Sequence, residues 1–196
     1  MTNLPPIALL ILSYLVGSIS PAYVFGRTLH GIDLRKTGSG NLGARNAGRT
    51  LGRPVGVAVW LLDMAKGAAV VGLARALGHG VPVAVACGAA AVAGHNWPIF
   101  HRFRGGRGAS TAMGATLILL PLEMAIGFAL WVIISLTSGS LYLGGLVAHP
   151  AAVGLALVFG RTGVLAFSPL LVAVPLMLRH LPALIRMIRD RSLKLP

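Results

Sequence analysis

STAMGATLILLPLEMAIGFALWVIISL, residues Ser110–Leu136, is an apolar run that reads either as one long helix kinked at Pro121 or as two short helices turning there. Charge decides between the two readings. Apolar segments of roughly the 20 residues that cross a bilayer core lie on either side: Leu4–Phe25, Val55–Leu77 and Val81–Phe100 before it, Leu141–Phe159 and Val164–Leu178 after it. The connection from Arg27 to Arg53 holds six Lys/Arg, that from Arg102 to Arg107 holds three, and the tail from Arg179 holds five. The remaining connections carry only Arg75 and Arg161. Lysine and arginine are retained on the cytoplasmic side, so the three clusters belong to one face. An even number of crossings after Arg107 returns the tail to that face. Splitting at Pro121, into Ser110–Leu120 and Leu122–Leu136, meets that condition; a single long helix strands the tail on the wrong side. The expectation is an all-α polytopic membrane bundle of seven transmembrane helices, N-terminus outside and C-terminus cytoplasmic. Ser110–Leu120 is too short to cross alone without local thinning or cover from its neighbours.

Composition supports a membrane chain. Of 196 residues, 56% are hydrophobic and 11% charged, against about 25% charged in soluble domains. The mean hydropathy is +0.82. Residues 1–196 read as one bundled domain whose 26 glycines suit close helix approach in lipid. The formal net charge of +13 invites a nucleic-acid reading, but the basic residues sit at the ends of apolar spans and no nucleic-acid-binding motif is present. Attraction to the anionic inner leaflet explains the charge better. Cys87 is the single cysteine, which rules out an internal disulfide or a thiolate cluster. The first apolar stretch lacks a basic n-region and reads as a retained span, not a signal peptide.

Two glycine-rich basic loops interrupt the apolar pattern. The first runs from Ile32 to Gly52, the second from Phe103 to Thr111. Glycines let backbone N–H groups surround an anion, while Arg35, Lys36, Arg45 and Arg49 supply countercharge. Ser39 and Asn41 can add side-chain hydrogen bonds to a phosphate, and Arg49 a bidentate one. Neither loop is a Walker A or dinucleotide fingerprint. Asp63 and Lys66, one helical turn apart within an apolar span, read as an ion pair facing the bundle that braces an anionic site, with Lys66 directed towards the loops. His95 ends a span just before the second loop, either as a satisfied interfacial histidine or as part of the site. His30, His79, His101 and His149 read as structural. No His/carboxylate spacing suits zinc, and no nucleophile elbow accompanies the four acids, so neither a metal nor a serine triad is expected.

These residues together resemble the bacterial membrane-integral glycerol-3-phosphate acyltransferases that use acyl phosphate as donor. The resemblance covers nearly the whole chain: Gly17, Ser18 and Pro21; Gly38 to Asn41 with Asn46 and Arg49; Asp63, Lys66 and Gly67; Gly94, His95 and Pro98; Phe103, Gly105, Gly106 and Gly108; and His180 with Arg186 in the tail. It implies a seven-span bundle in the bacterial inner membrane with a cytoplasmic active site, transferring a fatty acyl group from acyl phosphate to the 1-hydroxyl of glycerol 3-phosphate to give lysophosphatidic acid. It implies catalytic roles for Ser39, Arg49, Arg107 and His180, with Ser39 and Arg49 on phosphate and His180 on the glycerol-phosphate side. The phosphate-binding set extends to Gly38, Gly40, Asn41, Gly43, Arg45, Asn46, Lys66, His95, Gly105, Gly106, Gly108 and Arg186, with Asp63 in support. No cofactor is implied; the partners are acyl phosphate, glycerol 3-phosphate and membrane lipid, with no nucleic acid, and the oligomeric state is open. Arg45 stands where the family has Thr, Arg107 for a Lys, Tyr142 for a Ser, Ala183 for an Asn and Ser192 for an acid. The alternative is a non-catalytic or altered-acceptor relative, or a carrier that binds a phosphorylated lipid or metabolite between the same loops.

Overall fold

A computed structural model describes residues 4–139 and 141–189. Among the described residues every regular element is a helix: α1 (Pro6–Ser18), α2 (Pro21–His30), α3 (Ala44–Leu51), α4 (Arg53–Ala76), α5 (Val81–Asn96), α6 (Ala109–Leu119), α7 (Pro121–Ser138), α8 (Leu141–Val158) and α9 (Gly163–Arg189), with short 3₁₀ turns at Leu34–Lys36 and Ile99–His101. Among the described residues five stretches are long and apolar enough to cross a membrane: Pro6–His30, Arg53–Ala76, Val81–His101, Pro121–Ser138 and Gly163–Leu181. Ala109–Leu119 and Val147–Val158 are shorter apolar helices.

The break expected at Pro121 is present. Leu120, at φ −139° and ψ 73°, separates α6 from α7. Proline disfavours the helical conformation in the residue before it and suits the first helical position itself, so one residue ends one helix and starts the next. A second break was not expected. Leu4–Phe25 reads as one span, yet the chain leaves the helix at Ile19 and Ser20 and re-enters it at Pro21. Ser20 Oγ accepts a hydrogen bond from Tyr23 N (3.2 Å) and caps α2, which runs on to His30 and so carries Arg27 on a helix. The break strands two carbonyls: Pro21 has no N–H to offer Gly17 O, and the N–H of Tyr23 that would reach Ile19 O is held by Ser20. Lys66 Nζ donates to both, at 2.9 Å each. Broken helices persist at membrane depth where protein groups re-satisfy the freed backbone in this way.

The tail also differs from expectation. α9 runs through Leu178 to Arg189, so Arg179 and His180 are helical. The Arg186 side chain, like those of Tyr142 and Ala183, lies outside the described residues, as does Ser192 altogether.

α1 packs on α5, α4 on α6, α5 on α9, and α7 on α8. Leu9, Val70, Val71, Val92, Ala112 and Val172 form the main buried cluster. Helices in lipid gain no hydrophobic drive towards one another, so close van der Waals contact between small residues holds them. A Cβ at Gly17 would strike the Ala91 backbone, and one at Gly114 would strike the Met64 carbonyl. Ile7, Ile11, Leu61, Ile133 and Leu136 are exposed and face outward, as lipid-contacting positions require. At the end of the bundle away from the glycine loops, the fully buried Glu123 pairs with Arg161 (3.1 Å). The first basic loop is itself folded: Leu34, Leu42, Ala47, Leu51 and Val59 form a separate apolar cluster that seats it, with α3, on α4.

Candidate active site

The first glycine loop is shaped by Asn46. The two N–H groups of its Nδ2 are shared among the carbonyls of Leu34 (3.3 Å), Thr37 (3.1 Å) and Asn41 (2.9 Å), and its Oδ1 accepts from Ser39 N (3.0 Å). Gly38 has φ +62°, and a Cβ there would overlap Asn46 Oδ1, so the turn requires glycine. Asn46 was expected among the phosphate ligands. Its side chain is buried and occupied by the loop backbone, which makes it the internal staple of the loop.

Asp33 holds the outer edge of the loop. Its carboxylate accepts from Arg35 N, Nε and a terminal guanidinium nitrogen (3.1, 3.0 and 2.8 Å) and from Arg27 (3.1 Å). Hydrogen bonding to the Arg35 guanidinium keeps the Asp33 carboxyl well below the usual carboxylate range.

α3 then presents Arg45 and Arg49 one turn apart, both exposed. Partial burial, together with the positive charges of Arg49 and Arg107, lowers the affinity of the Arg45 guanidinium for its proton. Arg107 is therefore within electrostatic reach of α3, although a third of the chain separates them. Among the described residues none of these three arginines has a carboxylate partner. Arg107 also faces His180, whose Nδ1 bonds Leu176 O (2.8 Å) and whose neighbour Arg179 lies over the Trp97 ring. Ser39 is exposed on the loop, its N–H held by Asn46 of α3. Distant parts of the chain thus bring Ser39, Arg45, Arg49, Arg107 and His180 to one end of the bundle.

The second glycine loop lies flat on the end of α5. Gly106 N donates to His95 O (3.0 Å), and a Cβ at Gly106 would overlap His95 Nε2. The imidazole is fixed from below: His95 Nδ1 is 3.0 Å from Lys66 Nζ and 3.3 Å from Asp63 Oδ1. Lys66 has three N–H groups, and good geometry directs them to Gly17 O, Ile19 O and His95 Nδ1. Asp63 Oδ1, at 2.9 Å, supplies the countercharge without a well-formed hydrogen bond. Lys66 and His95 were expected to contact phosphate. Both are buried and bonded within the protein, so they support the loops from beneath. The sequence signal for that role was present, since an intramembrane lysine needs internal partners. The identity of those partners was not.

The family described as glycerol-3-phosphate acyltransferase matches residues 7–190. The chain belongs to that family. This acyltransferase is 44% identical over 152 residues to glycerol-3-phosphate acyltransferase 2 of Moorella thermoacetica, covering 78% of each chain. It is 35% identical over 196 residues to the glycerol-3-phosphate acyltransferase of Desulforamulus reducens, covering 100% of this chain and 98% of that one. Among solved structures, it superimposes on the glycerol 3-phosphate form of PlsY (YgiH), an integral membrane glycerol 3-phosphate acyltransferase, with TM-score 0.83, 32% identity and 97% and 96% coverage. The lysophosphatidic acid form of PlsY gives TM-score 0.82 at 31% identity, covering 97% and 95%. The acyltransferase keeps the helical membrane architecture of that structure across its own length.

Proposed function

We propose that this acyltransferase moves a fatty acyl group from acyl phosphate to the 1-hydroxyl of glycerol 3-phosphate, releasing phosphate and lysophosphatidic acid. The observation that carries the reading is that Arg45 lies within electrostatic reach of Arg49 and Arg107, and Arg107 of His180, with no carboxylate partner for the three arginines among the described residues. Such a cluster favours a ligand of several negative charges, and both substrates carry a phosphate. Ser39 and Arg49 hold phosphate, the Gly38–Gly43 backbone lines it, and His180 orients the glycerol phosphate. The 1-hydroxyl oxygen attacks the acyl carbonyl, the acyl carbon–oxygen bond to phosphate breaks, and the hydroxyl proton leaves with the released phosphate. Acyl phosphate already contains a good leaving group, so positioning and charge neutralisation supply most of the acceleration.

The same reading places the protein in the bacterial cell membrane with seven crossings, the two shorter apolar helices included. The N-terminus lies outside, and the basic loops, the site and the C-terminus lie at the cytoplasmic face. The distribution of Lys and Arg supports this orientation. Purified protein given acyl phosphate and labelled glycerol 3-phosphate should form labelled lysophosphatidate, and Arg49→Ala or Ser39→Ala should abolish most of it. Glycerol 3-phosphate binding without any product from the wild type would instead establish a carrier or a non-catalytic relative.

A further inference from the structure

A basic cavity lies at the same end of the bundle, apart from the arginine cluster. It has a volume of about 420 Å³ and is lined by Arg27, Arg35, Lys36, Arg102 and Arg104, with Asp33 as the one acid. None of Arg45, Arg49, Arg107 or His180 borders it. Asp33 is already taken by Arg27 and Arg35 (3.1 and 2.8 Å). Lys36, Arg102 and Arg104 are exposed and have no carboxylate partner among the described residues. The cavity therefore carries a net positive charge that the protein leaves unneutralised.

Its second component is apolar. The turn that carries Arg102 and Arg104 continues directly from the apolar stretch Val81–His101. On this turn Ile99, Phe100 and Phe103 are 49%, 61% and 56% exposed. Arg102 and Phe103 both occupy the left-handed region, φ 55° and 58°, which non-glycine residues adopt at a cost. The turn survives because Phe103 N and His101 N both donate to Pro98 O (3.0 and 3.1 Å). It sets cations and bare aromatic and aliphatic side chains next to one another at the level where an apolar span leaves the bilayer. A soluble phosphate has no use for that apolar rim. A phospholipid has use for both halves: the cations for its phosphate, the rim for the first methylenes of its chains.

We infer that this cavity is a binding site for the headgroup of an anionic phospholipid of the surrounding leaflet, separate from the site of acyl transfer. The inference rests on the membrane placement of the span alone and stands whether or not acyl phosphate is the donor.

The test compares retention of phosphatidylglycerol with that of phosphatidylcholine by the detergent-purified protein, read by native mass spectrometry near physiological salt. Each juxtamembrane cation contributes measurably to anionic-lipid attraction, so wild type should prefer phosphatidylglycerol by about tenfold or more. In the variant Lys36→Gln/Arg102→Asn/Arg104→Gln the preference should fall to within about twofold; asparagine is chosen at Arg102 because it tolerates left-handed backbone. The single variants Lys36→Gln and Arg104→Gln should each lose part of it, which covers the case in which the triple variant does not fold. Arg53→Gln/Arg75→Gln, which removes two cations outside the cavity, should leave the preference intact. An equal loss in that control, or a wild type without preference, overturns the site. If millimolar inorganic phosphate displaces the lipid completely, the cavity is a free-anion site and the lipid assignment is wrong.

Discussion

Lys66 Nζ lies 2.9 Å from the carbonyl oxygen of Gly17, a residue on a different helix and 49 positions away. That bond caps a helix end inside an apolar layer, where water is scarce and an unmet carbonyl is costly. The same ammonium reaches His95, and His95 in turn supports Gly106 and the loop that carries Arg107. One buried cation thus links a break in the first span to the shape of the second glycine loop.

Replacing Lys66 by Met should therefore cost stability before it costs chemistry. It strips the buried Asp63 of its ammonium countercharge and leaves only His95 Nδ1, 3.3 Å away, to face it; breaking a buried pair of this kind costs about 3–5 kcal/mol. Thermal unfolding in detergent should show a large drop in Tm. The double variant Asp63→Asn/Lys66→Met should recover part of it; equal instability of the two would mean that the Gly17 and Ile19 caps, not the ion pair, dominate.

Gly106→Ala tests the contact with His95. The added methyl overlaps the imidazole, and overpacking of this kind costs about 1–3 kcal/mol. Because the loop must lift to accommodate it, Arg107 shifts with it. Steady-state kinetics should show kcat falling at least tenfold with a modest loss of Tm, and unchanged kcat would show that the loop does not position Arg107.

Asn46→Ala removes four hydrogen bonds to the first glycine loop while leaving α3 intact. The loop should become susceptible to limited proteolysis between Leu34 and Asn41, and activity should fall with it. Asn46→Asp keeps the acceptor for Ser39 N but loses the three donated bonds, so it should behave like the alanine variant and not like wild type.

Arg49→Ala should raise KM for glycerol 3-phosphate by roughly 10- to 100-fold, the range expected for one lost charge-assisted hydrogen bond. Arg107→Lys keeps the charge but not the planar fork, so it should fall between wild type and Arg107→Ala. Equal KM in all of these variants would place the phosphate elsewhere.

Asp33 supplies a pH signature. Its folded-state carboxyl is held below the ordinary value by Arg35, so its stabilising effect is fully present above the unfolded pKa of about 3.9. The effect is lost as pH falls below that value. Asp33→Asn should lower Tm at neutral pH, and the difference from wild type should shrink on acidification towards pH 3. A difference that holds constant with pH would remove the ion pair from the explanation.

Some of this was readable from residue order and some was not. Pro121 announced its break because a proline and a charge imbalance pointed to the same position. Pro21 did not: Ser18 and Ser20 precede it, but the apolar pattern resumes at Ala22 and no charged residue lies between Leu4 and Phe25 to mark the gap. Arg45 and Arg49 were recognisable as exposed cations of the first loop, and the structure sets them one turn apart on α3. Asn46, three residues before Arg49, looked like a third ligand and is a backbone staple; side-chain polarity alone does not say whether an amide faces solvent or its own loop. Arg35, Lys36, Arg102 and Arg104 were legible as loop cations, but the left-handed turn at Arg102 and Phe103 has neither glycine nor asparagine at those positions to signal it, so the cavity that gathers these cations was not.

The order of residues by itself determined the bilayer-length apolar runs, the clustering of the cations at their ends, and the two glycine-rich basic loops. Those properties follow from composition along the chain, which hydrophobic transfer and charge retention read locally. Tertiary structure alone decided which polar groups are offered to a ligand and which are consumed inside. In a bilayer the backbone N–H and C=O groups must be satisfied within the protein, and the partners of Lys66 and His95 come from helices far apart in the chain.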